Sequence, residues 1–470
     1  MPAKARRERD LLGEREVPGL ALWGVHTLRA LENFPLSGRR VAPGLIHAYG
    51  LVKQACARAN RELGGLGVQE AGAIEAAAIE LASGKLDEHI VVDALQGGAG
   101  TSLNMNVNEV IANRALLLLD RAPGDYGVID PLDHVNQHQS TNDTYPTALR
   151  VAGIVGLRTL EQALVELQEA FQAKERELAD VVKVGRTEMQ DAVLTTLGRE
   201  MGAYAEAFGR DRWRIYKAEE RLRVVNLGGT AIGTGLGAPR AYILHVVDVL
   251  REITGLPLAR AENLVEATQN ADVFVEASGL LKACATSLWK VCSDLRLLSS
   301  GPSAGLFEIR LPPRQAGSSI MPGKVNPVVP EAVTQAAMQV IANDQVIAMA
   351  VASGSLELNP FLPLVADAFL GSLSLLTAAC RILARECVAG IVANPEQCQA
   401  HVHDGTAALT ALVERIGHAA SNDLARAVEA GEGTLRDVAV RRGFLTAEEY
   451  DHLTSPGRVN QLGHRGKEPE

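Results

Sequence analysis

The chain has 470 residues, 47% of them hydrophobic but only 4% aromatic, and a formal net charge of −10. That length allows two or three domains, or one elongated domain with smaller caps, and the abundance of alanine, leucine and valine favours closely packed long helices. The negative charge argues against nucleic acid or an anionic membrane as a general partner, so a small anionic substrate would need locally placed donors.

Residues 1–45 read as an irregular or partly stranded arm with turn-like EREVPG, LSGRR and APG. The opening MPAKARRERDLLGERE carries charge but no apolar signal-peptide core, which sets the expectation of a cytoplasmic protein. From 46 to about 120, HAYGLVKQACARANRELG and EAGAIEAAAIELASGK predict short helices separated by glycines.

Five long helical patterns follow. After Pro146, which suits a first-turn position, apolar residues recur with helical spacing at Leu157, Leu160, Leu164, Leu167, Phe171 and Leu178. The next patterns cover about 190–225, then roughly 240–300 with breaks at ITGLP and near Asn263. A fourth starts after Pro327 and Pro330 and reaches about 353, and a fifth covers 361–390. Asp344 is the only charge between Glu331 and Glu357, so the fourth helix should be buried on most faces. The longest uncharged apolar run considered as a membrane span, QVIAMAVASGSL (345–356), is too short to cross a bilayer. From 396 the chain becomes more charged and its helices shorter. The expected division is an N-terminal domain (1–140), a central helical-bundle domain (141–395) and a small C-terminal helical domain (396–470).

A helix from 145 to about 180 would extend roughly 50 Å at ~1.5 Å per residue. The polar clusters QSTND (139–143) and GRTEMQD (185–191) would then lie at opposite ends of one rod. If both serve one site, they must come from different chains, which predicts a homo-oligomer with shared sites.

Four clusters rich in glycine, hydroxyl or amide groups interrupt the helices: 96–115, 134–148, 184–192 and AGSSIMPGKVNP (316–327). They offer Thr101, Ser140, Thr141, Asn142, Thr187, Ser318, Ser319, Lys324 and Asn326. Such hydroxyls and amides with one fixed cation suit a small carboxylated substrate, because neutral donors at loop ends hold carboxylates and meet charge that develops during reaction. Simpler readings compete: Ser140, Thr141 and Asn142 also suit helix capping, and Lys324 could be an ordinary surface lysine. GGTAIGTGLGA (228–238) has dinucleotide-like glycines but no clear preceding strand, and Gly97-Gly98-Ala99-Gly100 lacks the Gly-Lys-Thr/Ser of a phosphate loop. His134 and His138 lack a third metal ligand. The six cysteines (56, 284, 292, 380, 387, 398) show no C-x-x-C spacing and read as reduced core thiols. No cofactor and no metal is expected.

GSSIMPGKVNP resembles the signature of the aspartase/fumarase superfamily, whose members cleave a C–N or C–O bond and release fumarate; the resemblance extends from LLGEREVP and WGVHTLRALENF through the helical core. K-V-N-P points away from the argininosuccinate lyases. QSTND, VEATQNAD, QDAVLTTLG and NPVVPE are similar to the aspartate ammonia-lyases, whereas MPGK and NMNVNEVIANRA are at home in class II fumarases, and the balance favours the former. The resemblance implies a mainly α, three-domain lyase, a homotetramer with a central twenty-helix bundle, and sites built from three chains. It implies Ser318 as the base that removes the Cβ proton, and Thr187, Lys324 and Asn326 as holders of the α-carboxylate. Thr101, Ser140, Thr141 and Ser319 would bind the β-carboxylate as it becomes a dianionic aci-carboxylate, with Asn142 near the amino group. A non-catalytic protein on the same scaffold would show erosion of this set, yet all nine residues are intact.

Two positions depart from the family pattern. Leu194 stands where Pro is frequent. Glu188 stands where His or a neutral amide is usual, and it would contact the substrate ammonium or, alternatively, pair with Arg186. Glu331 matches a family position that supports a His at 188, and its role opposite a glutamate is open.

Overall fold

The computed structural model describes residues 5–463. Met1–Lys4, which open the charged N-terminal segment and the 1–140 division, and the end of the 396–470 division after 463 lie outside the described residues. Interresidue contacts group the chain into two units, one made of the residues up to Glu161, Trp213–Ala283 and Gln339–Leu376, the other of Gln162–Arg212, Cys284–Met338 and the residues from Thr377 onward.

In the first unit, β1 (Arg6–Asp10) and β2 (Gly13–Val17) form an antiparallel hairpin, followed by α1 (Val25–Asn33). The arm is partly stranded, one of the two forms expected of it, and charge orders the segment that follows. The Arg6 guanidinium donates to the carbonyls of Ala21 (2.6 Å) and Trp23 (2.7 Å). The carboxylates of Glu8 and Glu109 accept from the amides of Gly24, Val25, His26 and Thr27. Those are the N–H groups that the first turn of a helix leaves without intrahelical partners. Burial nevertheless raises the Glu109 carboxyl above its ordinary range.

The following helices are longer than the glycine spacing suggests. α2 covers Pro43–Glu62, α3 Val68–Ala82 and α4 Thr101–Leu118. α2 and α3 touch at Gly50, where an added Cβ would lie 2.5 Å from the Ala82 nitrogen and 2.8 Å from the Ala78 oxygen.

α5 (Thr141–Glu177) has 37 residues, about 55 Å at ~1.5 Å per residue. It starts earlier than Pro146, which therefore sits inside the helix rather than in its first turn. A proline there removes the N–H that would bond the carbonyl four residues back. That carbonyl belongs to Asn142, and Asn226 Nδ2 donates to it instead at 2.9 Å.

The hairpin β3 (Val182–Thr187) and β4 (Gln190–Thr196) leads into α6 (Leu197–Leu222). β5 (Val224–Val225) follows, then the glycine loop, α7 (Arg240–Thr254), β6 (Ala259–Arg260), α8 (Leu264–Gln269) and α9 (Asp272–Leu298). A two-residue strand does precede the glycine loop, and it pairs in parallel with β6. Next come β7 (Ile309–Arg310), α10 (Val328–Ala352) and α11 (Leu362–Ile382).

Within the first unit, Gly153 receives Leu222 and Phe369, Phe369 meets Phe274 edge-on, and Asp344 takes a hydrogen bond from Ser278 at 2.8 Å and an ion pair from Lys282. Within the second, Phe171 stacks on Phe208, and Gly198 lies against the backbone of Glu175 and Ala179. All six cysteines are buried free thiols.

Within this chain α10 buries Val333, Ala337, Val340 and Ile347 and exposes Met338 and Met349. The longest apolar stretch is Leu362–Gly390 rather than 345–356; it is long and apolar enough to cross a membrane, but 67% of its most apolar window is buried inside the protein. That burial is the mark of a core helix.

The last segment comprises β8 (Val392–Ala393), which pairs with β7, and the helices α12 (Pro395–Asp404), α13 (Leu409–Glu429, broken at Gly417), α14 (Leu435–Arg441), α15 (Ala447–Leu453) and α16 (Pro456–Val459). Leu412, Leu424, Leu435, Val438 and Tyr450 form its core, while Val402 and Ala407 pack on Val184 of β3.

The α2–α3 contact gives a paired prediction. Gly50→Ala should destabilise the protein by about 1–3 kcal/mol, because backbone cannot yield as a side chain would. Gly72→Ala in α3, where an added Cβ meets nothing within 4 Å, should be neutral or stabilising by roughly 0.5–1 kcal/mol. Chemical denaturation of both variants measures the difference.

Candidate active site

The N-terminus of α5 is built by reciprocal capping. Ser140 Oγ accepts from the Asn142 amide (3.2 Å), and Asp143 Oδ1 accepts from the Ser140 amide (3.0 Å). Asp143 Oδ2 accepts further bonds from the amides of Gly228 (3.1 Å) and Thr230 (3.0 Å). The glycine loop therefore turns N–H groups onto a protein carboxylate, which is a physical reason for its spacing other than a dinucleotide. The capping reading of Ser140 holds, but a hydroxyl has one donor and two acceptor positions, so capping leaves its proton available.

Behind this turn lies a buried polar network absent from the sequence reading. Lys53 Nζ donates to Asn136 Oδ1 (3.0 Å) and Gln139 Oε1 (2.8 Å). Asn136 Oδ1 also accepts from Asn104 and Asn108 Nδ2, both at 3.2 Å. Asn104 Nδ2 then donates to Thr141 Oγ1 at 3.1 Å. Thr141 is thereby held as an acceptor on its inner side, which leaves its proton for an oxygen elsewhere. Thr101 is set the other way: its hydroxyl donates to the Gly98 carbonyl at 2.7 Å. Asn142 Nδ2 donates to the Ala231 carbonyl at 2.7 Å.

Burial pushes the Asp143 carboxyl up to about 6, against the pull of its three amide donors and the Lys53 charge. Burial likewise brings the Lys53 ammonium down to about 8. Asp143 was legible, since Ser and Asp three residues apart before a helix is a capping pattern. Lys53 had no signal, because nothing local marks a lysine as buried.

His134 and His138 are hydrogen-bonding groups. The Asp130 amide donates to His134 Nδ1 (3.0 Å), and His138 Nδ1 lies 2.7 Å from Asn60 Oδ1. Among the described residues no group of three or more His, Cys, Asp or Glu could hold a metal ion.

Thr187 and Glu188 lie at the tip of the β3–β4 hairpin, and both are exposed. Glu188 (φ 52°) and Met189 (φ 64°) form a two-residue turn with both residues left-handed. That turn normally takes Asn-Gly. Each side chain in this conformation costs about 1–2 kcal/mol, and such cost is characteristic of functional sites. Arg186 does not depend on Glu188 for a partner: it pairs with Glu308 (2.8 Å) and approaches Asp191 (3.7 Å). Glu331 approaches Arg296 at 3.9 Å.

Ser318, Ser319, Lys324 and Asn326 share one loop. The Gly317 amide donates to the Lys324 carbonyl (2.8 Å), and Asn326 Nδ2 donates to the Gly317 carbonyl (2.8 Å), so two bonds close the loop at its neck. A Cβ at Gly317 would lie 2.5 Å from the Lys324 oxygen, which explains the glycine. Ser318 Oγ accepts from the amides of Ile320 (3.1 Å) and Met321 (3.0 Å). Two N–H dipoles aimed at one hydroxyl oxygen favour its deprotonated form. Ser318 is half-buried, and Ser319 to Val325 are exposed.

The predicted residues thus fall into three constellations. Thr101 and Ser140 to Asn142 belong to the first unit, with Thr141 held by Asn104; Thr187 with Glu188, and the Ser318 loop, belong to the second.

Residues 13–342 match the family model described as lyase. An aspartate ammonia-lyase of Pseudomonas aeruginosa is 49% identical over 437 residues, 92% of each chain. A fumarate lyase:delta crystallin structure from Brucella melitensis superposes with a TM-score of 0.94 at 48% identity, covering 98% of this chain and 100% of that one. A class II fumarase from Schistosoma mansoni gives a TM-score of 0.90 at 32% identity, covering 96% and 98%. The mainly helical fold with polar clusters at helix ends, the GSSIMPGKVNP loop and these full-length likenesses place the chain as a member of the aspartase/fumarase superfamily of lyases.

Proposed function

We propose that the chain is an aspartate ammonia-lyase, eliminating ammonia from L-aspartate to give fumarate. The observation that carries the chemistry is Ser318 Oγ beneath two amide donors. A serine is a poor base: with a pKa roughly six units above working pH, deprotonation costs on the order of 8 kcal/mol at ~1.36 per unit. The two amides and the Lys324 charge on the same loop offset part of that cost once water is excluded.

Ser318 takes the Cβ proton, and the electron pair moves into the β-carboxylate, giving a dianionic aci-carboxylate. Collapse of that intermediate forms the double bond as the Cα–N bond breaks. Thr101, Ser140, Thr141 and Ser319 bind the β-carboxylate, and neutral donors there gain most as charge accumulates, which is differential binding. The Thr141 hydroxyl accepts from Asn104 and keeps its own proton to give, which supports its share of that role. Thr101 must turn its hydroxyl away from Gly98 to donate. Thr187, Lys324 and Asn326 hold the α-carboxylate. Asn142 lies near the ammonium group, and Glu188 meets it with a carboxylate that biases the site toward an amine over a hydroxyl. No redox cofactor takes part.

The same reading makes the protein a cytoplasmic homotetramer with a twenty-helix core, divided at 1–140, 141–395 and 396–470, its sites drawing constellations from three chains. Exposed apolar groups on the long helices, among them Trp213, Met338 and Met349, support a subunit interface. The length of α5 between its polar ends supports shared sites. A class II fumarate hydratase is the second reading, favoured by the MPGK sequence and the fold likeness at 32% identity, which is below the 49% shared with the Pseudomonas lyase.

Incubation with L-aspartate should raise fumarate absorbance and L-malate should not; the reverse result establishes the hydratase. Ser318→Ala should lower kcat by roughly 10²–10⁴-fold with little change in KM, and full activity would reject Ser318 as the base. Glu188→Gln should weaken kcat/KM for aspartate about tenfold, whereas unchanged turnover rejects the ammonium contact. Protonation of Asp143 weakens its hold on the Ser140 turn, so kcat/KM should fall as pH drops through about 6. A pH profile of Asp143→Asn should be low throughout and lack that limb.

A further inference from the structure

Lys53 of α2 has no solvent exposure, yet its ammonium bonds to two neutral amide oxygens, Asn136 Oδ1 and Gln139 Oε1, rather than to a carboxylate. A buried charge that is not bonded to an opposite charge is costly. The polar groups around it supply a reason for bearing that cost.

An ammonium donates three hydrogen bonds and accepts none. Both amides beside Lys53 must therefore face it with oxygen. Gln139 is held that way independently, because its Nε2 donates to the carbonyls of Val135 (3.0 Å) and Gln137 (3.1 Å). Asn136 Nδ2 donates to the Gln139 carbonyl at 3.3 Å, and its Oδ1 collects Lys53, Asn104 and Asn108. Asn104 and Asn108 are four apart on α4, so their amides share one helix face. Asn108 Oδ1 is buried and takes no hydrogen bond. Three donors thus crowd onto the oxygen that Lys53 faces, while the oxygen of one of those donors goes unused.

The direction set at Asn136 passes on to Thr141. Asn104 Nδ2 has two protons; one goes to Asn136 Oδ1 (3.2 Å) and the other to Thr141 Oγ1 (3.1 Å). Asn104 Oδ1 instead accepts from Thr144 Oγ1 at 3.4 Å. Turning over the Asn136 amide would set its NH2 against the ammonium, and turning over Asn104 would set oxygen against oxygen. With both reversed, Thr141 would spend its proton on Asn104. Every group in this relay belongs to one chain and to the first unit, so it needs no particular arrangement of the other two constellations.

We infer that Lys53 is a positioning residue for Thr141: it fixes the direction of the hydrogen bonds through Asn136 and Asn104, so that the Thr141 hydroxyl keeps its proton for the β-carboxylate. The kinetic consequence rests on the proposed lyase reading; the coupling itself rests on the hydrogen-bond geometry. Lys53, Asn136 and Asn104 are assigned no contact with substrate. A donor aimed before substrate arrives needs no reorganisation as charge develops. Its bond strengthens as charge accumulates, so misdirection lowers kcat more than it raises KM.

The test uses the full-length assembled enzyme at pH 7, below the value of about 8 to which burial brings the Lys53 ammonium. Lys53→Met keeps the apolar stem and removes the donors; it should lower kcat roughly 10–100-fold and change KM by less than about threefold. A merely structural lysine would matter whether or not residue 141 had a hydroxyl. The relay does not: in a Thr141→Val background, Lys53→Met should lower kcat by less than about threefold further. Two near-isosteric variants decide should Lys53→Met not fold. Each places one carboxylate beside the Lys53 charge, which favours its ionised form. Asn136→Asp still accepts from Lys53 and Asn104, whereas Asn104→Asp can only accept and takes the Thr141 proton. The kcat of Asn104→Asp should therefore lie roughly tenfold or more below that of Asn136→Asp. Losses for Lys53→Met and Thr141→Val that simply multiply overturn the inference, as does an Asn104→Asp enzyme no slower than Asn136→Asp. A wild-type protein that does not turn over aspartate rejects the lyase reading instead. Thermal denaturation of the same Lys53 and Thr141 variants then decides the coupling: Tm shifts that depart from additivity support it, and shifts that add reject it.

Discussion

The buried carboxylate of Asp143 fixes where the longest helix begins, and much of the first constellation follows from that point. Its acceptors draw in the Ser140 amide and two amides of the glycine loop, so one side chain organises three backbone donors from two segments. With the start of α5 set at Thr141, Pro146 falls inside the helix and exposes the Asn142 carbonyl to Asn226. The side chain of Asn142 is in turn committed to Ala231. Charge, capping and a proline defect therefore place a polar cluster at one end of a long amphipathic rod.

Much of this architecture was legible in the sequence because helical periodicity survives without tertiary information. The long helices, the polar interruptions and the buried thiols follow from spacing and composition. What local reading misplaced were boundaries set by distant partners. Nothing near Pro146 announces that Asn226 will satisfy the carbonyl it orphans, so a first-turn proline is the natural expectation. In the N-terminal arm the strands could be expected, but the carboxylate that caps α1 comes from Glu109, some 85 positions away from the Gly24 amide it accepts from. Similarly, α10 reads as a buried helix from composition, yet it exposes Met338 and Met349 within this chain, and apolarity alone does not say what covers them.

The polar residues divide in the same manner. Hydroxyls and amides could be collected as a candidate set, but the direction in which each hydroxyl gives its proton depends on partners invisible in the sequence. Thr141 accepts from Asn104, itself fixed through Asn136 and Lys53, whereas Thr101 donates to Gly98. Glu188 was recognisable as a departure in residue type. That it occupies a left-handed turn position, alongside an equally unsuited methionine, is a backbone property with no sequence signature beyond the absence of Asn-Gly. Residue type and backbone conformation are thus separate reasons to test Glu188.

The loop carrying Ser318 also carries Ile320, Met321 and Val325, which stand 83%, 47% and 52% exposed. Apolar groups held in water are a store of driving force whose strength depends on temperature. Any closure that shelters them would proceed with a negative heat-capacity change. Plots of ligand affinity against inverse temperature would then bend rather than run straight, and cooling would weaken the hold on substrate even where every hydrogen bond is kept. The same three side chains would make the open enzyme sensitive to denaturants and detergents at concentrations too low to unfold its helices.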